Sequence, residues 1–90
     1  MDQIIDKDMA RGLQDDAARA HGEAGWVISQ DPPEHSGKAL MARLITTAPT
    51  LYVLLADTLA ELHAMLPPGL ERSDRIAVDP PDVLEVWFTA

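Results

Sequence analysis

The three histidines of this 90-residue chain are its main candidates for chemistry. His35 shares a loop with Asp31 and Glu34, side chains that in other proteins bind metal ions or exchange protons. The same composition is common in solvated surface loops, so we predict no metal site. His63 falls on the polar side of a short predicted helix. His21 falls at the C-terminal end of another helix, where a partly positive imidazole is favourable.

No nucleophile or cofactor motif accompanies these histidines. Ser29, Ser36 and Ser73 form no recognisable triad with a histidine and an acid, and the sequence has no glycine-rich phosphate loop or zinc-protease motif. The absence of cysteine excludes disulfides and thiolate metal sites. We therefore predict that the chain is not an enzyme and binds no cofactor.

The charge of the chain restricts its partners. Fifteen acidic residues against seven lysines and arginines give a net charge of −8, which repels nucleic-acid phosphates. No apolar run approaches the roughly 18–20 residues that span a membrane, and the N-terminus lacks the features of a signal peptide. We expect a cytoplasmic protein without nucleic-acid or membrane binding. A basic protein is the charged partner that its acidity would suit.

The segment from Leu51 to Gly69 organises the predicted fold. Residues 51–56 are apolar on both alternating faces, which is typical of a buried strand. Thr58 and Glu61 have the spacing of a capping box, so we predict that a helix begins there. The helix has one apolar face and ends before two prolines; the face consists of Leu59, Leu62, Met65 and Leu66.

A second helix is predicted over residues 3–21. Its apolar stripe consists of Ile5, Met9, Leu13 and Ala17, and Gly22 and Gly25 provide a stop. Gly12 in mid-helix costs about 1 kcal/mol relative to alanine, so this helix must dock on another surface. It either covers the core of its own chain or acts as an arm that binds a partner.

Four strands complete a single domain over residues 1–90, with an α+β core over 25–89. Residues 26–30 and 39–45 predict a hairpin, followed by strands over 51–56 and 83–88. Residues 70–76 suggest a helical turn. We predict a two-layer α+β fold, an N-terminal helix then β-β-β-α-β, with one mainly antiparallel four-stranded sheet in which the predicted strands lie in the order 3-2-1-4. The last crossover would make a parallel pair, and strand 51–56 would lie at an edge.

An apolar edge strand usually needs a cover, and a second copy of the chain would supply it. Two tryptophans stand at strand ends, where large rings are often partly exposed, and tryptophan is enriched at interfaces. The candidate interaction residues are Ile5, Met9, Leu13, Trp26, Tyr52 and Trp87. We predict a non-catalytic interaction or regulatory module that forms a homodimer. The alternative is an acidic inhibitor that neutralises a basic toxin or nuclease.

Two resemblances accompany this prediction. The motifs WVISQD, ARLIT, YVLLADTLAELHAMLPPGL and DPPDVLEVWF, within residues 26–88, resemble a family of short uncharacterised bacterial proteins, mainly proteobacterial. Three strands followed by Asp57, Thr58, Leu59 and Glu61 are also similar to the N-terminal domain of HicB-like antitoxins. That second resemblance implies a partial RNase H-like hairpin and supports the predicted topology.

Overall fold

The computed structural model describes residues 2–32, 35, 37–73 and 83–89, and it has an α+β fold. The described residues form two helices and six strands. In chain order these are β1 (Gln3–Ile4), α1 (Lys7–His21), β2 (Gly25–Gln30), β3 (Leu40–Ile45), β4 (Pro49–Ala56), α2 (Leu59–Met65), β5 (Leu70–Arg72) and β6 (Val83–Thr89).

The strands form one mixed sheet in the order β1-β4-β3-β2-β6-β5. The four predicted strands are its centre, and they neighbour one another in the predicted order. The prediction of a four-stranded sheet is wrong, because β1 and β5 extend the sheet at its two edges. β1 pairs with β4 in parallel, so β4 is an inner strand rather than an edge.

The predicted helix over residues 3–21 is wrong at its beginning, because it included the residues of β1. The helix begins only at Lys7, because Asp6 has an extended backbone and its Oδ1 accepts a hydrogen bond from the backbone N–H of Met9 at 2.8 Å. Residues Gln3 and Ile4 are thereby free to pair with Tyr52 and Val53 of β4.

The predicted helical turn after Gly69 is also wrong at its beginning. Leu70–Arg72 forms a strand that pairs antiparallel with β6, with Leu70 opposite Thr89 and Arg72 opposite Trp87. β6 in turn pairs antiparallel with β2, which corrects the predicted parallel pair. The strands before and after α2, β4 and β5, do run in the same direction, but they are not neighbours in the sheet. Residues 74–76 of that predicted turn lie outside the described residues.

Both helices pack on the same face of the sheet. Trp26, Ile28, Ala42 and Leu54 from the central strands share one buried cluster with Leu62 of α2. The predicted cap of α2 is confirmed on one side, because the Thr58 hydroxyl accepts from the backbone N–H of Glu61 at 3.1 Å. The predicted end of this helix is confirmed as well, since its C-terminal cap is Leu66, whose backbone is extended ahead of two prolines.

Helix α1 packs on the sheet of its own chain, and the buried face includes Leu13 and Ala17 of the predicted stripe but not Met9. Ala10 and Gln14 are buried, whereas Met9 is 52 % exposed. The buried stripe follows the spacing i, i+3, i+4, i+7 and i+8, and it consists of Ala10, Leu13, Gln14, Ala17 and Ala18. The prediction missed Gln14 because this residue is polar, and it included Ile5, which is buried but precedes the helix. The predicted stop is confirmed at Gly22, whose φ of 80° is left-handed.

Neither α1 nor α2, which are the helices of the described residues, is long and apolar enough to cross a membrane.

Two glycines offer a matched test of the fold. In Gly25→Ala the new Cβ would lie 2.7 Å from the backbone oxygen of Trp87 and 2.5 Å from Cδ1 of Phe88. We expect this change to lower the free energy of unfolding by about 2 kcal/mol, since β2 and β6 must separate locally. Gly12→Ala has open space around its Cβ, so it should raise that free energy by about 1 kcal/mol. Urea unfolding followed by circular dichroism measures both. Equal effects of the two changes would contradict the register of β2 and β6.

Candidate functional site

The six predicted interaction residues do not form one surface. Ile5 and Trp26 are buried in the core, and Met9 is exposed on α1. The other three, Leu13, Tyr52 and Trp87, are partly buried against the core. Trp26 lies in the core, which is the more common position for such a ring, because β2 is a central strand and α1 covers the indole. The structure instead presents a sheet face and a pocket.

The sheet face opposite the helices is apolar. Side chains alternate along each strand, so the neighbours of the core residues point to this second face. We call it the helix-free face because no helix of the described residues packs on it; its main residues are Ile4, Met41, Arg43, Leu51, Val53 and Val86, of which Met41, Val53 and Val86 are buried. Ile4 is 62 % exposed and Leu51 is 52 % exposed.

An ion pair crosses the helix-free face. The two terminal nitrogens of the Arg43 guanidinium, Nη1 and Nη2, donate at 2.8 Å to Oδ1 and Oδ2 of Asp2, respectively, which is a bidentate geometry. Nη1 of Arg43 also donates to the carbonyl oxygen of Thr50 at 2.8 Å. Because β4 lies between β1 and β3, the pair passes over β4, where Val53 is fully buried. The pair therefore fastens the short strand β1 to the sheet.

His35 belongs to this ion pair and not to the loop site that its neighbours suggested. Its Nε2 lies 2.9 Å from Oδ2 of Asp2. Hydrogen bonds from Arg43 and then from His35 hold the pKa of the Asp2 carboxyl well below its ordinary value. Asp31 is exposed, and Glu34 lies outside the described residues. Within the described part of the chain, no group of three His, Cys, Asp or Glu side chains is placed to hold a metal ion.

A second polar cluster lies on the helix side of the sheet, around Glu85 of β6. Oε1 of Glu85 lies 2.6 Å from Nε2 of His63 and accepts the indole N–H of Trp87 at 3.0 Å. Oε2 lies 3.8 Å from Nη1 of Arg72. The side chain of Glu85 is only 9 % exposed. One buried carboxylate thus joins α2, β5 and β6.

The environment of Glu85 keeps it ionised. Burial alone would raise the pKa of the carboxyl, but the hydrogen bonds from His63 and Trp87 and the nearby charges outweigh it and lower this pKa below 4.5. A carboxylate only accepts hydrogen bonds, so Nε2 of His63 carries the proton between them. His63 also stands edge-on to the Trp87 ring, with centroids 5.6 Å apart and an interplanar angle of 74°.

A pocket of about 230 Å³ lies beside this cluster. Its wall begins at the end of α2 and continues into β5 and β6; the lining residues are His63, Leu66, Pro67, Pro68, Gly69, Leu70 and Trp87. Apolar side chains dominate this lining, and the imidazole is its ionisable group. This composition is typical of a site for a small, mainly apolar ligand.

Sequence reasoning missed both carboxylates of these clusters. Asp2 stands 41 residues before Arg43, and no local pattern connects the two. Glu85 gave a weak signal, because it is the one charged residue in the predicted strand 83–88. A charge on the core-facing side of an apolar strand implies a buried partner. The sequence did not identify that partner as His63, which was predicted to be a surface residue.

Comparison of the chain with protein-family models, with curated proteins and with solved structures finds no match. The two resemblances therefore stay predictions, and the sites are interpreted from their geometry.

The lowered pKa of Glu85 predicts how acid acts on stability. A carboxyl with a folded-state pKa below its unfolded value stabilises the fold above about pH 4.5, and this contribution disappears as the pH falls through the folded-state pKa. We therefore expect the free energy of unfolding of the unchanged chain, relative to Glu85→Gln, to decrease between pH 5 and pH 3. Urea unfolding at each pH measures the difference.

The matched control is Glu61→Gln on the exposed side of α2. The Glu61 carboxylate has no ion-pair partner in the described ranges. A difference for Glu85→Gln that stays constant with pH, or one that Glu61→Gln reproduces, would contradict the assignment.

Proposed function

We propose that this chain is a non-catalytic interaction module that forms a homodimer through its helix-free face. The observation that carries the proposal is the distribution of exposed apolar side chains. Of the four large ones in the described residues, Ile4 and Leu51 lie on the helix-free face and Met9 lies on α1, whereas Leu84 lies at the irregularity in the pairing of β2 and β6. A two-layer fold buries one face of its sheet under helices, and an apolar second face is typical of an interface.

Charge favours a second copy as the occupant of this face. Two chains of net charge −8 repel each other, so they associate most easily through a surface without unpaired acids. The central charges of the helix-free face, Asp2 and Arg43, neutralise each other. By contrast, α1 presents exposed carboxylates at Asp8, Asp15 and Asp16. The pairing of Glu71 with Phe88 places this exposed acid of β5 on the same face, near the edge of the sheet. The centre of the helix-free face therefore opposes contact between two copies less than α1 does.

The sheet edges are less suited to association. β1 has two residues and β5 has three, and β5 carries the exposed charged residues Glu71 and Arg72. Short and charged edge strands oppose pairing with another chain. We therefore propose that the interface is a face of the sheet and not the edge strand that the sequence predicted.

Both polar clusters of the candidate sites have roles within the fold, which supports a non-catalytic assignment. Asp2 joins β1 to β3, and Glu85 joins α2 to β5 and β6. The alternative of an acidic inhibitor of a basic toxin or nuclease has no contact in the described residues that favours it, and it stays a prediction.

The mass in solution tests the proposal. Light scattering on a sizing column should give twice the chain mass of 9.8 kDa at micromolar concentration. Ile4→Lys and Leu51→Lys should each raise the dissociation constant of the dimer about tenfold or more, because a charge replaces a buried apolar contact. Lysine lowers the net negative charge, so weaker association could not be attributed to added repulsion between the chains.

The control is Met9→Lys, which makes the same change at an equally exposed apolar residue of α1. It should leave the dimer intact. A monomeric mass for the unchanged chain at all concentrations would overturn the proposal, as would a Met9→Lys variant that dissociates as readily as the other two.

A further inference from the structure

The pocket beside Glu85 has a preformed wall. Pro67 and Pro68 have a fixed φ, and the carbonyl oxygen of Pro68 accepts a hydrogen bond from Nε2 of Gln14 at 3.1 Å. Gly69 then turns the chain into β5 with a φ of 86°, which is left-handed. These constraints hold the wall in place without a ligand, which lowers the ordering cost of binding.

The imidazole of His63 lines the pocket, and its side chain is 39 % exposed. Nε2 of His63 donates to Glu85, so Nδ1 of the neutral imidazole has a free lone pair. No protein group within the described residues makes a hydrogen bond to this atom. Glu85 holds the neutral imidazole in the tautomer that carries its proton on Nε2. Nδ1 can then accept a hydrogen bond, which favours ligands that carry an O–H or N–H donor.

The size and the walls of the pocket restrict the rest of the ligand. A cavity of about 150 Å³ is enough to hold benzene, so 230 Å³ has room for one substituted ring. The indole of Trp87 and the side chains of Leu66 and Leu70 provide apolar contact. Aromatic rings gain additional stabilisation against other aromatic rings in edge-on or offset arrangements.

We propose that this pocket binds a neutral phenol-type ring, whose hydroxyl donates a hydrogen bond to Nδ1 of His63. The ring belongs either to a small phenol or to a tyrosine side chain, which present the same chemistry. The pocket is on the helix side of the sheet, and so it is independent of the proposed dimer.

Titration of the full chain with p-cresol tests the proposal by NMR. The reporter is the indole N–H of Trp87, which hydrogen-bonds to the same oxygen of Glu85 as His63. We expect a saturable shift with a dissociation constant on the order of 1 mM. Toluene and 4-methylanisole have a similar shape but no donor, and they should bind roughly fivefold more weakly, as the loss of one hydrogen bond implies.

A variant and a second ligand complete the experiment. His63→Leu keeps an apolar pocket without Nδ1, so p-cresol should lose its advantage over toluene while toluene still binds; the Trp26 indole signal reports whether the fold is intact.

N-acetyltyrosinamide separates the two sources of the ring. Affinity equal to that of p-cresol assigns the pocket to tyrosine side chains, and affinity at least tenfold lower assigns it to small phenols.

Two results would overturn the proposal. One is a Trp87 signal that shows no saturable change up to about 20 mM p-cresol, well above the expected constant. The other is equal binding of p-cresol and 4-methylanisole by the unchanged chain. The ligand series in the unchanged chain decides the outcome even if His63→Leu fails to fold, and dimer formation has no effect on either result.

Discussion

The buried amide of Gln14 is the contact on which both layers of this fold depend. Its Oε1 accepts the indole N–H of Trp26 at 2.8 Å, and its Nε2 donates to the carbonyl oxygen of Pro68 at 3.1 Å. Only one orientation of the amide satisfies both partners. Trp26 is fully buried at the centre of the sheet, and an indole N–H without an acceptor there would cost about 1–3 kcal/mol. One side chain of α1 therefore joins the helix layer to the central strand and to the segment after α2.

At the two edges of the sheet, carboxylates also join separate elements of the fold. The edge strands β1 and β5 have two and three residues, fewer than the five or six of an average strand, so ladder hydrogen bonds alone hold them weakly. Asp2 ties β1 to Arg43 of β3, and Arg72 of β5 faces Glu85 of β6. The first pair is bidentate and mostly buried, and it contributes more than the second, in which Arg72 is exposed and 3.8 Å away.

Local sequence patterns predicted the parts of the fold that local chemistry determines. The cap at Thr58, the stop after Leu66, and the four central strands with their order are of this kind, because short-range spacing and apolar runs specify them. The edge strands were not predicted because a strand of two or three residues is too short to show an alternating pattern of apolar and polar residues. The place of Gln14 on the buried face of α1 was missed because this residue is polar, and its partner Trp26 became apparent only in three dimensions. Both candidate sites depend on such contacts, which is why the predicted interaction residues did not identify them.

The distribution of charge separates the two faces of the molecule. The exposed acids of α1, Asp8, Asp15 and Asp16, lie in the helix layer, whereas Asp2 of the helix-free face is neutralised by Arg43. Salt screens repulsion between such exposed charges beyond about 10 Å. In the proposed dimer, the ion pair that fastens β1 also neutralises the Asp2 carboxylate, which would otherwise oppose contact between the two copies.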